Sequence, residues 1–97
     1  MALSYDQSAA LMTDPAFRGR VKVACLSFAT VIAEEAGTVA GHGARYRWAQ
    51  QCMQQPDMTA QTVQAATVMD PAIQAGGSGV DDATLQSAVE ATIVNML

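Results

Sequence analysis

Ninety-seven residues make one domain at most, and a net charge of −4 disfavours general affinity for nucleic acid or acidic lipid. Hydrophobic residues are 51% of the chain but aromatics only 5%, with alanine the commonest residue, so any core is built from small pieces and a monomer has thin stability. Charged residues reach only 14%, below the roughly 25% usual in soluble domains, which leaves little polar surface to keep copies of the chain apart.

Residues 1–10 carry neither a basic leader nor a continuous apolar run, which argues against a secretory signal, and no apolar run approaches the roughly 20 residues a membrane span needs. Ser4 followed by Gln7 matches a capping box and opens a short helix through Met12. Asp14 before Pro15 is an N-cap with proline at the first helical position, and the long central helix it opens stops at Gly37. Within it Phe17, Val21, Ala24, Phe28 and Val31 share an arc of about 80° and form the expected core face. Val23, Leu26, Ala29, Thr30 and Ala33 lie largely opposite, so the helix is apolar nearly all round, and a second copy is expected to cover the face carrying Leu26. The β-branched alternation at Val21 to Val23 offers a strand as the competing structure; the length, the alanines and the proline start favour helix.

Gly41, His42 and Gly43 read as a hinge before a second helix, Ala44 to Gln54, halted by Pro56. Thr59, Thr62, Val63, Thr67 and Val68 favour extended structure and Gly76 to Gly79 are flexible, so residues 57–80 are expected to form an irregular arm, either disordered or laid on a partner. Asp81 and Asp82 suit the start of a C-terminal helix bearing Leu85, Ala88, Val89, Ile93 and Met96, whose apolar finish at Leu97 suggests docking. The expected fold is mainly α: one helical domain over 1–97 with a long central helix, a second helix, the arm and a C-terminal helix.

All five basic residues precede Trp48, whereas the rest of the chain carries five acids and no Lys or Arg. Such a two-ended chain can dock front to back on a copy of itself. The expected interface residues are Arg18, Arg20, Lys22, Leu26, Arg45, Arg47, Asp81, Asp82, Met96 and Leu97.

Candidates for chemistry are few. His42 is the sole imidazole and the sequence sets no nucleophile or acid beside it, so it reads as a loop residue. Glu34 and Glu35 are adjacent on a helix and diverge by about 100°, which prevents an acid and base pair and leaves a solvated or salt-bridged helix end, where a cation from elsewhere is expected. Gly76 to Gly79 has neither the spacing nor the lysine of a phosphate loop. Cys25 and Cys52 lack paired metal-ligand spacing and read as small buried hydrophobes in a reducing compartment rather than a disulfide. Arg18, Arg20, Lys22, Arg45 and Arg47 with Tyr46 and Trp48 interleave cations and aromatics as nucleic-acid binders do, but with only five cations in an acidic chain a set of protein-interface salt bridges is the better reading. The expectation is no enzyme, no cofactor and no metal.

Asp14 to Ala24, Ala44 to Gln50, the Pro56-Asp57-Met58 turn and Asp82 to Glu90 together resemble small virion structural proteins of tailed bacteriophages. The resemblance implies a homo-oligomeric subunit, made in the host cytoplasm and carried in the virion. Its partners would be copies of itself and portal, capsid or tail components. A head-to-tail connector or adaptor in the neck is the first expectation and a capsid cement or decoration protein the second. A small helical regulatory binding module is the alternative of another class.

Overall fold

The computed structural model describes residues 3–97, which form six α-helices and two single-turn 3-10 segments. The chain's three prolines, Pro15, Pro56 and Pro71, each take the first position of a helix, where the ring pre-sets φ and the missing N–H costs no hydrogen bond. The residue before each proline is extended: Asp14 at φ −75°, ψ 113°; Gln55 at φ −119°, ψ 118°; Asp70 at φ −94°, ψ 123°. Each X-Pro step therefore ends one helix and starts the next across a single residue. α1 (Tyr5–Thr13) turns into α2 (Pro15–Ile32), α3 (His42–Gln54) into α4 (Pro56–Met69), and α4 into α5 (Pro71–Gly76). α6 (Asp82–Met96) closes the chain.

The expected α1 is present with both halves of its capping box: Gln7 N donates to Ser4 Oγ at 3.2 Å and Ser4 N to Gln7 Oε1 at 2.9 Å. α2 gives way to a 3-10 turn, Ala33–Glu35, and the corner to α3 ends at Gly41, whose φ of 85° lies in the left-handed region open to glycine. The hinge thus precedes His42, which belongs to α3 rather than to the loop.

α2 is the axis of the fold, packed between α3 and α6 and touching α4 and α1. It buries Phe17, Val21, Ala24, Cys25, Phe28, Ala29 and Ile32. That stripe spans about 140° and is rotated from the expected one. Ala29 is buried and Val31, expected in the core, is 64% exposed. The cause is contact on two flanks, since a helix held between two neighbours buries a wider arc than one laid on a single surface, and Cys25 and Ala29 are small enough to let α3 approach.

The irregular arm expected over 57–80 is absent. Those residues are α4, α5 and a second 3-10 turn, Gly77–Gly79. In α4 the buried Thr59, Thr62, Val63, Ala66 and Thr67 repeat at i, i+3, i+4, i+7 and i+8, the helical pattern. Threonine is tolerated there because its hydroxyl can return to the preceding turn. Thr59 Oγ1 donates to Gln55 O at 3.2 Å and Thr62 Oγ1 to Met58 O at 2.8 Å. Asp70 caps α5 by accepting from Ala72 N at 2.9 Å and Ile73 N at 3.3 Å, which sets Ile73 fully in the core. Gln74 then ties α5 on both sides, donating to Thr67 O and accepting from Leu3 N at 3.2 Å.

Nor is the glycine run a swinging link. Gly77 is buried at φ 57°, ψ −136°, and a Cβ on Gly76 would lie 2.9 Å from Val80 Cγ1. α6 is accordingly fixed against α2 and α4, burying Leu85, Ala88, Val89, Thr92 and Ile93. The Cα radius of gyration, 12.7 Å, is that of a compact chain of this length, about 13 Å.

Two stability predictions follow from this packing. Phe17→Ala should cost about 3 to 5 kcal/mol in denaturant melts, while Val31→Ala should stay within about 0.5 kcal/mol; comparable losses would mean that the buried arc is wrongly placed. Thr67 is fully buried and its hydroxyl has no partner among the described residues. Thr67→Val should therefore raise stability by about 0.5 to 2 kcal/mol, and a loss would reveal a hydrogen bond not seen here.

Candidate interaction surface

The charged residues expected at an interface divide into two groups. Arg20 is committed within the subunit: its guanidinium pairs with Asp82 Oδ1 at 3.0 Å, donates to Ser78 O at 2.9 Å and also reaches Val80 O. Asp82 lies at the start of α6 beside α2, so the front-to-back attraction expected between copies is satisfied at this point inside one copy. Asp81 is likewise occupied, capping α6 by accepting from Thr84 N at 2.7 Å; the Thr84 hydroxyl and amide hold its carboxyl below the usual range. Arg18 donates to Pro56 O at 2.9 Å and steadies the α3–α4 corner. Arg45 is half-buried with its guanidinium against Gly41, and its Nε has no partner among the described residues.

No Lys or Arg pairs with Glu34 or Glu35 among the described residues, where a cation was expected; the side chain that approaches is His42, whose Nδ1 lies 3.5 Å from Glu35 Oε2, too far for a good hydrogen bond. Lys22 and Arg47 are exposed and make no ion pair among the described residues.

The apolar candidates are placed more coherently. Leu26 is 52% exposed and Val23 63% exposed, one turn apart on the outward side of α2 with Thr30 following. This ridge is bordered by two shallow troughs. One, about 320 Å³, runs between α2 and α6 past Val23, Ala24 and Leu85; the other, about 330 Å³, lies between α2 and α3, where Leu26 and Ala29 face Tyr46 and Met53. A knob with a hole on either side is the shape that helix-on-helix packing uses.

Met96 and Leu97 belong to a second patch. Met96 is half-buried beside Trp48, Val68 and Met69, and Leu97 follows it at 46% exposure. Val68 and Met69 are themselves 61% and 49% exposed. Expected to be part of an irregular arm, they are instead the end of α4.

Beneath these surfaces lies a polar node that spacing in the sequence did not announce. Cys25 of α2 and Cys52 of α3 are fully buried, as expected, with Sγ atoms 3.0 Å apart. Thr59 donates to the Cys52 carbonyl, and Trp48 Nε1 donates to Thr62 Oγ1 at 2.9 Å, so the indole's polar edge is satisfied inside the α3–α4 contact. Among the described residues no three His, Cys, Asp or Glu side chains gather as a metal-ligating group, and no helix is long and apolar enough to cross a membrane.

Compared with known proteins, the chain matches no family model, no curated protein and no solved structure.

Arg20→Ala removes an ion pair and two carbonyl contacts at once, so it should cost about 1 to 2 kcal/mol and speed amide exchange at the start of α6. Asp82→Ala, at a side chain 91% exposed, should cost less than about 1 kcal/mol. Equal losses would place the stabilisation in the ion pair rather than in the carbonyl contacts.

Proposed function

We propose that this chain is a structural subunit that acts by packing against copies of itself in a tailed-phage particle, as a ring component of the head-to-tail neck. The observation that carries self-association is the outward ridge of α2. Val23 and Leu26 stand more than half exposed on the central helix of a chain with only 14% charged residues, between troughs shaped to receive a neighbour's side chains. The placement in a phage particle rests on the sequence resemblance. The patch at Val68, Met69, Met96 and Leu97 is assigned to a contact with another component of the particle, since a ring uses one pair of surfaces on itself and needs others to join its neighbours.

Because Arg20 and Asp82 are satisfied internally, association in this reading depends on apolar burial, with Lys22 and Arg47 adding orientation at the rim. Light scattering on the purified chain should give an oligomeric mass. Leu26→Asp should give a monomer with unchanged helical circular dichroism. An oligomer that survives this change would remove the ridge from the interface, and a wild-type monomer at tens of micromolar would end the self-assembly reading. Mass spectrometry of purified particles tests the remainder: a ring-sized copy number supports the neck, a number matching the capsid lattice supports decoration, and absence from particles rejects both.

A further inference from the structure

We propose that Cys25 and Cys52 form an intramolecular redox couple: a peroxide-class oxidant closes them into a disulfide that staples α2 to α3. The two Sγ atoms are 3.0 Å apart, inside the roughly 3.5 to 4.0 Å at which non-bonded heavy atoms rest, and about 1 Å of further approach makes the bond. Both residues are fully buried, and they come from different helices that pack along their length. Neither thiol can reach a thiol of a second chain without unfolding, so the only sulfur available to each is the other.

The surroundings divide the roles. The S–H···S contact raises Cys25 and lowers Cys52; the nearby Thr62 hydroxyl, the Lys22 charge and the Thr59 hydroxyl assist at Cys52, against the opposing effect of burial. Cys52, which accepts the S–H of Cys25, is the more readily ionised of the two and is the sulfur that attacks. Its thiolate takes one oxygen from hydrogen peroxide, the O–O bond breaks, and the departing hydroxide takes up the proton released by Cys52 to leave as water. The Cys25 sulfur then attacks the sulfenic sulfur of Cys52; the S–S bond forms, the S–O bond breaks, and the second oxygen departs as water with the Cys25 proton. The two thiols lose two electrons, and one peroxide becomes two waters. Hydrogen peroxide is close to water in size, so small openings of the core admit it while larger reagents stay out.

This couple is a property of the fold and does not rest on the assembly role. Closure links residues 27 apart in sequence, spanning the Gly41 corner, and restricts the unfolded chain accordingly.

The test treats reduced, native, full-length protein with hydrogen peroxide, then denatures and alkylates it. Untreated protein should take up two alkyl groups. Treated protein should take up none, and peptide mapping should find Cys25 joined to Cys52 within one chain. The melting temperature should rise by roughly 10 to 25 °C and fall back on reduction. Cys25→Ala and Cys52→Ala proteins should show no such rise; the Cys52 left in the first should stop at a sulfenic or more oxidised form, and the Cys25 left in the second should stay a thiol. The proposal is overturned if native protein keeps both thiols under peroxide exposure that oxidises the guanidinium-unfolded chain, if the sulfurs appear as sulfinic acids, or if the disulfide joins two chains.

Discussion

One helix is too apolar for the chain that contains it. α2 carries buried side chains over about 140° of its circumference, and the remaining surface still presents Val23, Leu26 and Val31. Four other helices, α1, α3, α4 and α6, arrange themselves against it and cover as much of it as 97 residues permit. α3 takes one flank and α6 the other, and α4 reaches it from beneath. With Ala24, Cys25 and Ala29 on the inner arc and Ala49, Cys52 and Ala88 facing from the neighbours, the helices approach closely; transfer energy per residue is modest, and many small contacts replace a few large ones.

The covering is possible because the connections are short. Three X-Pro steps turn the chain with one residue each, and Asp14 and Asp70 cap the helices that begin there. Polar side chains then fix the packing. Arg20 gathers the Ser78 and Val80 carbonyls and Asp82 at the start of α6, Gln74 laces α5 to α4 and to Leu3, and Trp48 reaches Thr62 across the α3–α4 contact. A core of small side chains has shallow shape preferences, so these hydrogen bonds carry much of the register that interlocking large residues would otherwise supply.

The parts of this arrangement legible in the sequence were those with a strong local cause. Ser4 with Gln7, Asp14 with Pro15, and Asp81 before an apolar run each specify a helix start through bonds made within one turn, and the start of each helix is where those residues put it. The α2 face was half legible: periodicity picks out Phe17, Val21, Ala24 and Phe28, but the choice between Val31 and Ala29 depends on how many neighbours the helix has. The region 57–80 is harder to read because threonine and valine are strand formers by propensity. Their spacing, 59, 62, 63, 66 and 67, already carried the helical period, and the buried hydroxyls find acceptors one turn back. The meeting of Cys25 with Cys52 had no local signal at all, since it exists only once α2 and α3 pack.

The charge asymmetry along the chain is met in part within one copy, at the surface. A mixed-charge front half that holds every cation and a purely acidic back half can pair whether they belong to two copies or to one, and at Arg20 the nearer pairing is the one made. α2 and α6 lie side by side, so Arg20 finds Asp82 at 3.0 Å without the entropy cost of association. The exposed apolar side chains then gather in two places, the Val23 and Leu26 ridge with its two troughs and the patch at the ends of α4 and α6. Contacts of that kind are insensitive to the screening that weakens exposed ion pairs, and they ask a partner for matching shape before matching charge.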